Sequence, residues 1–92
     1  MKLESITKAI DGKHKYTAVF AEPRKTVHFG QAGASDYTIN KDEQRKENYI
    51  SRHKSRENWN DPTTAGALAY HLLWSEKSFK TALSKFKKRF NL

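Results

Sequence analysis

The sequence predicts an α+β domain: a three-stranded antiparallel meander followed by three helices packed mainly on one face of it. Three observations predict it. Asp11-Gly12 punctuates a stretch of alternating side chains, the hydrophobic period changes from two to that of a helix near residue 40, and a single apolar stripe runs from Phe79 to Phe90.

Asp-Gly signals a hairpin because both central positions of the tightest turns need positive φ. With Ile10 and Lys13 flanking the turn, Leu3 faces Phe20 and Thr7 faces Tyr16, which places Leu3, Tyr16, Ala18 and Phe20 on one face. Glu22-Pro23-Arg24 reads as a second, longer turn. "KTVHFG" then returns as a third strand that adds Val27 and Phe29 to that face and turns His28 away. The chain is one domain over residues 1–92, with the meander in about residues 1–30 and the helical part in about residues 40–92.

Asn40 with Glu43 three positions on resembles a capping box, and "KDEQRKENYISRHKSR" holds no helix breaker. Its apolar face is only Tyr49, Ile50 and His53, which predicts a surface helix held partly by Trp59. Asp61 before Pro62 marks a second start, since proline in the first turn lacks only an N–H that would be unpaired anyway. With Ala65, Leu68, Leu72, Leu73 and Trp74 this helix is apolar nearly all round and should be central. The third carries Phe79, Ala82, Leu83, Phe86 and Phe90 on one side and Lys77, Lys80, Lys85, Lys87, Lys88 and Arg89 on the other.

Eighteen Lys and Arg against ten Asp and Glu give a net charge of +8, of which +6 lies in residues 41–92. Such a bias favours polyanionic partners, nucleic acid first and an acidic protein surface second. Arg45, Lys46, Arg52, Lys54 and Arg56 cluster on or just after the first helix, with Tyr49 among them. Cations interleaved with an aromatic can hold phosphates and stack on a base; the alternative is a merely solvated face. "KFKKRF" adds Lys85, Lys87, Lys88 and Arg89. These ten residues are the expected nucleic-acid-binding set.

Other chemistry is not expected. The chain has no cysteine, and His14, His28, His53 and His71 lack the close pair spacing of a zinc helix, so neither metal nor cofactor is foreseen. No set of nucleophile, base and orienting group can be drawn, which predicts a non-enzymatic protein. No apolar run approaches the roughly 18 residues of a membrane span, and "MKLESITKAI" lacks the apolar stretch of a signal peptide. An intracellular, non-secreted protein is therefore expected.

Residues 28–38, "HFGQAGASDYT", join the two halves. A phosphate-gripping loop of the nucleotide-hydrolysing kind would need a lysine that is missing here, and the G-x-x-G of Gly30-Gln31-Ala32-Gly33 follows a strand, whereas the single-strand-binding loop of that pattern joins two helices. The stretch reads instead as a bend. Gly30 and Gly33 let the backbone turn closely, Tyr37 packs inward, and Asp36 accepts backbone N–H bonds and pairs with Arg52 or His53. A nuclease-like pairing of Asp36 with His28 or His53 is the competing chemistry. Gly30, Gly33, Asp36, Tyr37, His53, Trp59 and Trp74 are thus expected to be structural.

"VHFG", "SDYT", "KDEQRKENYISRHK", "ENW" and "AGALAYHLLW", in that order, resemble a family of small basic proteins of unknown function encoded by large nucleocytoplasmic DNA viruses. The resemblance implies a viral origin and a location in the viral factory of the host or in the virion; it brings no mechanism. Together with the charge it leads to an expected sequence-non-specific nucleic-acid-binding accessory protein of a DNA virus. The alternative is a structural or protein-interaction module, such as a minor virion component.

Overall fold

The computed structural model describes residues 1–92. Strands β1 (Lys2–Lys8), β2 (His14–Ala21) and β3 (Lys25–Gln31) form one antiparallel sheet in the order β1-β2-β3. Leu3 faces Phe20 as the turn predicts, but a bulge between Leu3 and Ser5 moves the rest of the register, so Thr7 faces Thr17 and not Tyr16. The bulge has a packing reason. An extra residue in one strand breaks the strict alternation, and Leu3 and Ile6, three apart, both pack against the core. The slack is taken up at the tip, which is a loop over residues 9–13 and not a two-residue turn. There the Ala9 N–H donates to the Lys15 carbonyl at 3.1 Å, and Asp11 Oδ1 accepts from the N–H groups of Lys13 and His14 at 2.9 Å each. His28 points to solvent, hydrogen-bonded to Thr17 and stacked on His14.

The helical half begins earlier than the capping pattern predicts. Asp36 caps a single turn, α1 (Tyr37–Asn40), and Lys41 with φ 51° then breaks the chain direction. Asn40 is the last residue of that turn. The cap of α2 (Glu43–His53) is Asp42, whose carboxylate accepts from the N–H groups of Gln44 and Arg45 at 3.0 and 3.3 Å. A similar shift occurs at Asp61-Pro62. Asp61 closes a turn by accepting from the Thr63 N–H and hydroxyl, while Thr64 caps α3 (Ala65–Ala69). In both places two oxygen-bearing residues compete, and the one with the helix N–H groups in front of it wins.

Helix α3 runs directly into a π-helical turn, Tyr70–Trp74, and α4 (Phe79–Phe90) follows from its cap Ser78. Ala18, Phe20, Val27 and Phe29 of the sheet meet Leu68, Leu72 and Leu73 of the central helix and Phe86 of α4 in one buried cluster. The architecture is the α+β class predicted, with α1 added ahead of the three expected helices.

Candidate nucleic-acid interface

Helix α2 lies between two concavities. The first, of about 710 Å³, is lined by Arg45, Asn48 and Arg52 on the α2 side, by the Gly30–Asp36 bend, and by Leu73 and Trp74 of the π turn. Spacings of three and four put Arg45, Asn48 and Arg52 on one side of the helix.

The acids of this cleft are already engaged. Asp36, 2% exposed, accepts from the Thr38 N–H at 2.9 Å and hydroxyl at 2.5 Å and pairs with the Lys15 ammonium from β2. The expected pairing with Arg52 or His53 is therefore not made. The reason lies at Gly30, with φ +76°: a Cβ there would stand 2.9 Å from Leu73 Cδ1 and 3.2 Å from Lys15 Cβ. That close approach lays the bend against β2, within reach of Lys15. Gly33 also has positive φ, at +81°, with open space around it. Glu57 is the second acid. It accepts from Trp59 Nε1 at 2.8 Å, bonds His53 Nδ1 at 3.0 Å, and sits on Gly66, where a Cβ would be 2.8 Å from its carboxyl carbon. With His28 held by Thr17 and His53 by Glu57, neither histidine joins Asp36 in a nuclease-like pair. Arg45 and Arg52 are left without an ionic partner.

Tyr49 is not available to a base. It is 7% exposed, with the rings of His53 and Trp74 stacked at 4.2 and 4.5 Å, and burial pushes its hydroxyl pKa up from the ordinary tyrosine value. Tyr37 packs inward and donates to Glu43; that bond, backed by burial, pushes its pKa up to about 12.

The second concavity, of about 630 Å³, lies on the other flank of α2. Lys54 at the end of α2 lines it together with Lys85 and Arg89 of α4, so the two basic stretches of the sequence meet here. Its wall includes Trp59 and Tyr70, stacked at 3.9 Å and 6° from parallel. The two acids that line it are Glu57, already bonded, and Glu76, paired with Lys85 at 3.2 Å.

The remaining predicted contacts divide. Lys46 is a tether, donating to the Ser75 carbonyl at 2.9 Å with its ammonium 4.9 Å from the Tyr37 ring centre. Arg56 folds back onto the Arg52 carbonyl through two bonds of 3.1 and 2.8 Å and closes the end of α2. Arg89 donates to Asn60 Oδ1 at 3.0 Å. Lys87 and Lys88 are exposed and unpaired; Lys88 shares a side of α4 with Lys85 and Arg89, and Lys87 lies off it. Lys15, Glu57 and Tyr70 were not singled out from sequence. The first two act through partners on other elements, and Tyr70 is hidden inside an apolar run. No three His, Asp or Glu side chains stand close enough together to hold a metal ion, and no helix is long and apolar enough to cross a membrane.

A family model matches residues 4–53; it describes a "Family of unknown function (DUF5754)". That span takes in the sheet, the bend and α2 with Arg45 and Arg52, and it ends before Lys54, Trp59, Tyr70 and α4. No curated protein and no solved structure matches the chain.

Proposed function

Because the chain belongs to a family of unknown function, its activity has to be read from its own surface, and we propose that it is a non-enzymatic, sequence-non-specific nucleic-acid-binding accessory protein of a DNA virus. The observation that carries this reading is the division of charge around α2. Every acid lining the two concavities is bonded within the protein, while Arg45, Arg52 and Lys54, which line the same concavities, have no ionic partner. Unpaired cations on one helix, with Lys88 free on α4, suit a row of phosphates. Contacts of this kind position a backbone and carry no sequence information. The viral assignment draws on the ordered motifs between Val27 and Trp74, and a viral factory or virion location follows from it.

Salt dependence tests the reading. Log affinity for duplex DNA should fall linearly with log salt, by about 0.9 per phosphate neutralised. Replacing Arg45, Arg52 and Lys54 together by Gln should flatten that slope by about 2–3. Absence of binding at low salt would favour the second reading, a structural or protein-interaction module whose basic surface meets an acidic partner. That alternative draws on Ile10 at the hairpin tip and Ile39 on α1, two apolar side chains left exposed.

A further inference from the structure

The second concavity differs from the first in what forms its wall. Trp59 and Tyr70 lie face to face inside it, and each is only half-buried. No ring other than Trp59 stacks on Tyr70; His71 meets it edge-on at 66°. Tyr70 also opens the π-helical turn, a departure from α geometry that is frequent at functional sites. Around this ring pair stand Lys54, Lys85 and Arg89, from two different helices.

We propose that this groove seats one unpaired base of a single-stranded nucleic acid, stacked on the Trp59–Tyr70 pair, with the adjoining phosphates on Lys54, Lys85 and Arg89. The proposal rests on the nucleic-acid reading above and names the form of the ligand. In a duplex both faces of every base are covered by neighbours, and rings recessed between two helices cannot reach them. An unpaired base brings a bare face, and aromatic platforms within a cationic groove are the usual means of holding one without regard to sequence. The size is suitable, since about 630 Å³ lies within the range of pockets for ligands of nucleotide size. Charge does not oppose it. Glu57 is held by His53 and Trp59, and Glu76 is matched by Lys85 in an exposed pair that an incoming phosphate can share. The base site lies beyond residue 53, outside the span of the family model, whereas Arg45 and Arg52 lie inside it.

The test uses the whole protein and one mixed sequence of roughly twelve nucleotides, a length within the site sizes of such modules, offered as a single strand and as a blunt duplex. Both are measured at about 50 and 200 mM salt. The strand should bind about tenfold more tightly than the duplex at matched salt, as one stacked base allows. Tyr70→Leu should bring the two within about twofold while leaving the duplex salt slope unchanged, and Tyr70→Phe should keep the preference. In a Trp74→Phe background, leaving Trp59 as the single indole, the strand should quench the emission and inorganic pyrophosphate should not. Equal affinity for strand and duplex would overturn the base site and leave the nucleic-acid reading standing; no binding of either at the lower salt would overturn that reading itself. If Tyr70→Leu fails to fold, the Trp59 signal decides alone, and a strand that binds without quenching it sinks the proposal.

Discussion

Asp36 shows how one side chain can serve two elements. Its carboxylate caps α1 and also takes the ammonium of Lys15 from β2, and with the two side chains 3% and 14% exposed this is a buried pair. Removing one partner of such a pair strands the other, at a cost of about 3–5 kcal/mol, a large part of the 5–15 kcal/mol that holds a typical domain together. Lys15→Met should therefore shift the urea midpoint sharply downward. Asp36→Asn keeps an oxygen to accept from Thr38 and should lose less. The double variant should recover part of the Lys15→Met loss, because no charge is then left alone. Duplex affinity per folded molecule should be unchanged in Asp36→Asn, since the carboxylate faces inward. Additive losses in the double variant would show that the two groups do not act as a pair.

At the scale of elements, α4 was the most readable, and for a physical reason. Its stripe of Phe79, Ala82, Leu83, Phe86 and Phe90 is local, so the buried side could be named without knowing what covers it. Phe86 is 1% exposed and joins the central cluster, so Phe86→Ala should cost about 3–5 kcal/mol and leave most of the population unfolded at 37 °C. A cooperative melt near that of the native protein would contradict the docking of α4. The bulge in β1 and the true caps of α2 and α3 were not readable. Leu3–Phe20 and Thr7–Tyr16 follow equally from one turn, and only the covering core tells the strand to shift by one residue between them. Asn40 and Asp42, like Asp61 and Thr64, are all competent caps, and the choice depends on where the preceding turn ends. The candidate site was readable in the same partial way. The basic residues are evident, but Tyr49, which the sequence offers as a base platform, is buried, and the ring pair that lines a concavity is Trp59–Tyr70.

Taken as a whole, the molecule depends on the joint between the 54–60 segment and the last two helices, and His71 stands there. Its Nε2–H donates to the Trp59 carbonyl at 2.7 Å, with Phe86 and Phe90 packed against the ring at 5.8 and 5.2 Å. Burial lowers its pKa from the usual 6.5; the bond to Trp59 opposes this and the nearby Arg89 adds to it. The sign of the linkage follows. Below the unfolded pKa near 6.5 the unfolded chain takes up a proton that the folded chain refuses, so stability is full above that pH and declines as pH falls toward the lower folded pKa. The slope can reach about 1.4 kcal/mol per pH unit for a single group. The melting temperature should accordingly be flat from about pH 8 to 7 and fall between about pH 6.5 and 5, ahead of the lower range in which the carboxylates protonate. Asp11 and Asp61, whose pKa values are lowered by bonds from His14 and Thr63 respectively, belong to that lower range. His71→Gln retains an N–H donor without an ionisable ring; it should melt lower than the native protein at pH 8 and lose most of the decline between pH 6.5 and 5. An unchanged decline in the variant would move the pH dependence away from this joint.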